Sequence, residues 1–182
     1  MTAKEPRVLR TVRAGLQLRQ LRSADAAEYY ALVQVNAEHL TRHGDYQDEV
    51  SASADDVGAS LSNEDDAAGR FGVFLHGRLI GRVDLIPVDP PRFGLGYWLS
   101  EDVTRMGMAT AAVTALLDYA RSELGARDVF AWVTHGNEPS EALLRRLGFD
   151  IVADMGSYNR FHVSLGTPET APGNDARVPR RG

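Results

Sequence analysis

The stretch from Arg92 to Thr134 constrains the fold more than any other. "RFGLGYWLS" (92–100) is aromatic, follows "DPP" and has strand character, and "RDVFAWVT" (127–134) reads as a second strand. Between them Ala109, Ala112, Val113, Leu116, Leu117, Ala120 and Leu124 recur at helical spacing, with Thr114, Asp118, Arg121 and Ser122 on the opposite face. The result is a strand, a turn, an amphipathic helix and a strand in succession. "EPSEALLRRLG" (138–148) adds a helix closed by Gly148, and "YNRFHVSL" (158–165) a last strand.

The first half is patterned less sharply than this second half. "LQLRQLR" (16–22) alternates as a strand, Ser23 and Asp25 open a helix running to about Val35, and a short helix around 37–42 follows. An acidic segment then reads as irregular, with one more helix near 54–61. "RFGVFLHGRLIGRVDLIPVD" (70–89) predicts two antiparallel strands turning at His76-Gly77. Antiparallel strands followed by a strand, turn, helix, strand, helix unit predict an α/β (α+β) fold with a mixed, mostly antiparallel central sheet flanked by helices. No internal repeat is visible. The chain has 182 residues, 43% of them apolar, which suits one domain. We expect an N-terminal extension over 1–14, partly ordered, a single domain over 15–165, and a disordered tail over 166–182, where Pro, Gly and charge dominate.

Composition removes several function classes. There is no cysteine, so neither a disulfide framework nor a thiolate nucleophile is available. His39, His43, His76, His135 and His162 show no HExxH-like spacing, and no metal is expected. No apolar run approaches the ~20 residues of a membrane span, and "MTAKEPRVLR" lacks the apolar core of a signal peptide. The expectation is a cytoplasmic, soluble protein with no membrane partner. A net charge of −5 speaks against a nucleic-acid partner. Asp45, Asp48, Glu49, Asp55, Asp56, Glu64, Asp65 and Asp66 form a run without Lys or Arg. Such a run is either a solvated face or a negative rim that attracts a cationic substrate.

Thr104 to Thr110 place a glycine-bearing turn ahead of the alanine-rich helix. A helix start presents unpaired N–H groups and the positive end of the helix dipole, which together suit an anion. GxxxxGK[ST] and GxGxxG are absent, which removes support for ATP and dinucleotides. Gly107 alone would equally suit close packing of a helix on a strand. Taken with "GYWLSEDVTRMGMATAAVTALLDYA", "NEPSEALLRRLGF" and "VNAEHL", the chain resembles the GNAT superfamily of acyl-CoA N-acyltransferases, in particular its RimJ/RimL-type N-acetyltransferase branch, over roughly Leu16 to Leu165.

The resemblance implies a GNAT fold whose sheet is splayed at the site of coenzyme A. The family usually spells the pyrophosphate turn Q/R-x-x-G-x-G/A; here it is Thr104, Arg105, Met106, Gly107, Met108, Ala109, followed by Thr110. Gly107 and Ala109, the close-approach positions, are small, and backbone N–H groups do the binding. The resemblance puts Asn137 at the pantetheine arm and Ser140 near the thioester sulfur, as an acid for the leaving thiolate or simply as a helix-entry residue. A backbone N–H near Trp98 or Leu99 would bond the carbonyl oxygen. Related enzymes often carry an acid two residues before the Gly of "GYW", where this chain has Gly94. Asp84 is the replacement by position, or an ordinary strand aspartate. Asn36, Glu38, His39 and Tyr97 are implied at the acceptor side.

The implied reaction is direct attack of a primary amine on acetyl-CoA, without an acyl-enzyme and without a metal. With no evident base, an α-amine of pKa ~8 suits the site better than a lysine of ~10.4, a gap worth roughly 3.3 kcal/mol. The implied acceptor is a peptide N-terminus or a small amino-acid-like molecule, and a homodimer is compatible with the resemblance. An antibiotic- or toxin-detoxifying acetyltransferase, or an acyl-CoA-binding regulatory module without turnover, are the alternatives. Asn159 and Val163, where the family has polar and aromatic residues, favour the latter.

Overall fold

The computed structural model describes residues 5–62 and 69–166. Its strands form one eight-stranded sheet in the order β1-β2-β3-β4-β5-β6-β8-β7. They are β1 (Val8–Arg10), β2 (Leu16–Gln20), β3 (Arg70–Leu75), β4 (Arg78–Asp89), β5 (Arg92–Leu99), β6 (Asp128–Thr134), β7 (Asp150–Asp154) and β8 (Tyr158–Ser164). The helices are α1 (Ala26–Val35), α2 (Ala37–Thr41), α3 (Gln47–Ser51), α4 (Ala54–Ser62), α5 (Met108–Glu123) and α6 (Glu138–Arg146). β3 and β4 turn through His76 at φ 49° and Gly77 at φ 86°, two left-handed residues, as a tight two-residue hairpin requires. Among the described pairs only β5 and β6 are parallel, and α5 makes the crossover between them.

Each face of the sheet has its own core. On one, Ala112, Val113, Leu116 and Ala120 of α5 and Leu144 of α6 are fully buried against Leu18, Phe71, Val83 and Phe161. The alanines of α5 let it lie close to the strands, and the larger residues fill the remaining space. On the other face Tyr29 and Val33 of α1, Leu40 of α2 and Val57 and Leu61 of α4 enclose Leu79 and Trp98.

The sheet opens at one place. β5 and β6 pair from Arg92 and Asp128 to Leu95 and Ala131 and then separate. Beyond that point β5 stays with β4 through Tyr97, Trp98 and Leu99, while β6 stays with β8 through Trp132, Val133 and Thr134. The wedge between them is the splay that the resemblance implies.

Three elements depart from the sequence reading. Gln47–Ser51 is helical where an irregular segment was expected, but it is one turn long and buries no residue, so it leaves no apolar period to detect. Asp150–Asp154 forms an edge strand; it is mostly exposed and held by its ladder with β8, so it lacks an alternating pattern. Val8–Arg10 of the N-terminal extension pairs with β2. The expected tail lies outside the described residues from 167 onward. Among the described residues no helix is long and apolar enough to cross a membrane, and no group of three or more His, Cys, Asp or Glu could hold a metal.

Candidate active site

The turn before α5 is built to leave backbone donors open. Gly107 is the N-cap at φ 73°, and the first intrahelical bond runs from Ala111 N–H to Gly107 C=O at 3.1 Å. The N–H groups of Met108, Ala109 and Thr110 therefore point out of a 16-residue helix that has no side-chain cap and no acidic residue in its first turn. Arg105 is also left-handed, at φ 61°. Arg13 donates from its guanidinium to Met106 C=O, which sets a cation beside the turn.

A cavity of about 770 Å³ runs along this turn. Trp98, Leu99, Thr104, Arg105, Gly107, Met108, Ala109, Thr110, Asn137 and Ser140 border it, while Met106 does not. A smaller cavity of about 230 Å³ occupies the wedge, between Gly96 and Tyr97 of β5 and Trp132 and Val133 of β6. Asp45, Tyr46, Tyr97, Asn137 and Ser140 border both, so the two cavities adjoin across these residues and make a slot with two chambers.

The separation of the strands also frees main-chain groups. Ser100 N–H bonds Ile80 C=O at 2.7 Å, so by the alternation of an antiparallel ladder Trp98 N–H points at β4, and the N–H groups of Tyr97 and Leu99 point away from it. Leu95 is the last residue of β5 with a β6 partner, so the N–H groups of Tyr97 and Leu99 face the side that β6 has left, where Leu99 borders the larger cavity. Of the two residues expected near the carbonyl oxygen, Leu99 has the better-directed donor.

A family model for the acetyltransferase (GNAT) domain matches residues 15–150. The chain belongs to the GNAT acetyltransferase family. YdaF of Bacillus subtilis, provisionally named a ribosomal N-acetyltransferase, is 34% identical over 80 residues, which are 43% of this chain and 44% of that protein. The chain thus matches under half the length of this relative. Among solved structures, RimJ of Mycobacterium smegmatis in complex with CoA-disulfide superposes with a TM-score of 0.72 at 20% identity, covering 89% of this chain and 90% of that one. The ribosomal L7/L12 α-N-protein acetyltransferase RimL gives 0.76 at 18% identity, covering 88% and 95%. At these identities the likeness is one of fold.

Within this GNAT domain Ser140 is the third residue of α6. Its N–H donates to Asn137 Oδ1 at 3.3 Å, and its C=O accepts from Tyr97 Oη at 3.3 Å. Its main chain is held by these two bonds, and its side chain meets the Tyr97 phenol, whose pKa it lowers against the effect of burial. Asn137 is thus the N-cap of α6 as well as a wall of the slot. Burial raises the Tyr97 phenol to about 12, so it stays a donor through neutral pH.

The acceptor-side candidates scatter. Tyr97 and His39 border the larger cavity, with His39 Nδ1 3.8 Å from Glu101 Oε1. Asn36 is buried and borders neither cavity; its Oδ1 accepts from Ser100 Oγ at 3.2 Å and Glu101 N–H at 2.9 Å, tying α1 to the end of β5. Glu38 is exposed and borders neither. Asp84 is buried on β4 and also borders neither cavity. Its Oδ2 lies 2.7 Å from Arg82 Nε and 3.5 Å from where a Cβ on Gly96 would stand. Burial raises its carboxyl, against the pull of Arg82 and Arg70. The space beside Gly94 is taken by Trp132, whose ring would lie 3.2 Å from a Cβ there.

Several residues the sequence reading did not single out border the slot: Arg42, His43, Tyr46, Glu101 and Arg146. Tyr46 Oη donates to Tyr97 C=O at 2.7 Å across 51 residues, a link with no local signal. Asp45 could be found only as a member of the acidic run. Of that run, Asp55 and Asp56 lie on α4 and border neither cavity, Glu49 pairs with Arg82, and Glu64, Asp65 and Asp66 lie outside the described residues.

Proposed function

We propose that this GNAT protein transfers acetyl from acetyl-CoA to a primary amine, an α-amine at a protein N-terminus or on a small amino-acid-like molecule, by direct attack without an acyl-enzyme. The observation that carries the reading is the pair of adjoining cavities, the larger running from the uncapped N-terminus of α5 past Leu99 to Ser140 and the smaller lying in the wedge on the other side of Ser140 and Tyr97. The RimJ complex with CoA-disulfide and the α-N-protein acetyltransferase named in the RimL structure support it.

The N–H groups of Met108, Ala109 and Thr110 would hold the pyrophosphate, with Arg13 and Arg105 adding positive charge. Acetyl-CoA supplies an activated carbonyl with a thiolate leaving group. Leu99 N–H would stabilise the charge that develops on the carbonyl oxygen, and Ser140 Oγ would give its proton to sulfur. Asn137 and Tyr97 fix the Ser140 backbone for that purpose. The low cost of deprotonating an α-amine suits a site from which Asp84 is absent, being buried on β4 in an ion pair with Arg82.

The test is incubation with acetyl-CoA and a panel of peptides and small amines, reading thiol release and the mass of the products. Acetylation at α-amines in preference to lysines is expected. Acetyl-CoA binding without transfer to any amine would leave only a binding module. Saturating acetyl-CoA should raise the melting temperature by several degrees, since 100-fold excess over Kd stabilises by about 2.7 kcal/mol. No shift at millimolar ligand would sink the reading. Ser140→Ala should lower kcat by about ten- to a hundredfold at unchanged acetyl-CoA affinity. Full activity would remove Ser140 from the reaction.

A further inference from the structure

We infer that Asp45 receives the acceptor amine, an inference that rests on the acetyl-transfer reading and deepens it. Asp45 lies in the loop between α2 and α3, flanked by Gly44 at φ 87° and Tyr46 at φ 55°. The loop is tied to both strands that part at the wedge. Thr134 Oγ1 of β6 donates to Asp45 Oδ1 at 2.5 Å, and Tyr46 Oη donates to Tyr97 C=O of β5 at 2.7 Å. Asp45 therefore sits across the mouth of the wedge and borders both cavities, together with Tyr97, Asn137 and Ser140.

The other carboxylates near the site are already paired. Glu49 and Asp84 share Arg82, and Glu101 holds Arg42 at 2.8 Å. Asp45 has no ion-pair partner among the described residues, and Thr134 occupies only one of its oxygens. A carboxylate with a free oxygen, held rigidly beside the end of the thioester slot, suits a primary amine. It attracts the ammonium form, and it accepts an N–H from the neutral form so that the lone pair is aimed away from it.

The proton count closes with these groups. The nitrogen lone pair forms the C–N bond, and the nitrogen, now positive, gives one proton to Asp45 Oδ2. Collapse of the tetrahedral adduct breaks C–S, and the thiolate takes a proton from Ser140 Oγ. Asp45 returns its proton to solvent and Ser140 regains one, so amine and thioester become amide and thiol.

The test compares the wild type with Asp45→Asn, Asp45→Ala and Thr134→Val, using a lysine-free peptide with a free α-amine and the same peptide N-acetylated. Steady-state acetylation, acetyl-CoA affinity and binding of both peptides to the CoA-loaded protein are measured. Asp45→Asn keeps the side-chain shape and an acceptor for Thr134, and an unchanged melting temperature verifies the fold. We expect it to lower kcat/KM for the peptide by about ten- to a hundredfold, with acetyl-CoA affinity unchanged. It should also abolish the preference for the free over the acetylated peptide, and Thr134→Val should give a smaller loss in the same direction. The assignment is overturned if that preference survives in both Asp45 variants, or if acetyl-CoA affinity falls in parallel. A wild type that acetylates nothing overturns the transfer reading, and the comparison of free and blocked peptide still decides on Asp45.

Discussion

Arg82→Met is expected to destabilise the fold by about 3–5 kcal/mol, which for a chain of this size lowers the melting temperature by roughly 6–20 °C. Arg82 lies on β4 beneath the first helices. Its guanidinium donates at 2.6 Å to both Tyr29 Oη and Glu49 Oε1 and sits 2.7 Å from Asp84 Oδ2. Methionine would fill much of the volume but leave two largely buried carboxylates without their common cation, and removing one partner of a buried pair costs far more than the pair is worth intact.

The deficit should depend on pH with a definite sign. Burial already raises the Asp84 carboxyl, and Arg82 is the larger of the two cations that oppose it. Without Arg82 the folded-state value rises further above the unfolded ~3.9. A carboxyl so raised loses stability as pH climbs through its folded value, so the variant should be worst at neutral pH and should recover toward the wild type as pH falls to about 5. Urea unfolding at both pH values checks this. Equal stability of variant and wild type at neutral pH would show that the network contributes nothing.

Gly107→Val is expected to weaken acetyl-CoA binding on the order of several hundredfold. Two effects combine. At φ 73° a β-branched residue is strained by about 1–3 kcal/mol, and its Cβ would come within 3.1 Å of the Arg13 guanidinium. The turn must relax, and the N–H groups of Met108, Ala109 and Thr110 then lose their common aim. Loss of two hydrogen bonds to a charged phosphate, at about 1.5–3 kcal/mol each, accounts for the expected factor. Titration calorimetry measures it directly. Affinity within a few-fold of wild type would place the pyrophosphate elsewhere than at this turn.

Much of the architecture was legible because it is written locally. The apolar period read over Ala109 to Leu124 corresponds to α5 at Met108–Glu123, and the turn read at His76-Gly77 is the β3–β4 hairpin. α3 and β7 were not legible: a single helical turn without a buried residue and an exposed edge strand leave no period to read. The same division runs through the candidate site. The turn residues follow one another along the chain and line one cavity, with Met106 turned out of it. The acceptor-side candidates Asn36 and Glu38, which rest on one short stretch, border neither cavity.

By itself the sequence determined the start of α5, the hairpin and the open backbone donors at Gly107, because helical period, capping and left-handed turns depend on neighbours a few residues away. Only the tertiary structure decided that β5 and β6 part after Leu95 and Ala131, since each strand's choice of partner is settled by distant segments. It alone brought Arg13 to Met106 across 93 residues and Asp45 to Thr134 across 89. It alone turned Asp84 from a candidate base into the partner of a buried arginine. Those contacts carry no periodic signal. They exist because the closed core fixes which side chains share a space, and the chemistry of the wedge follows from that sharing.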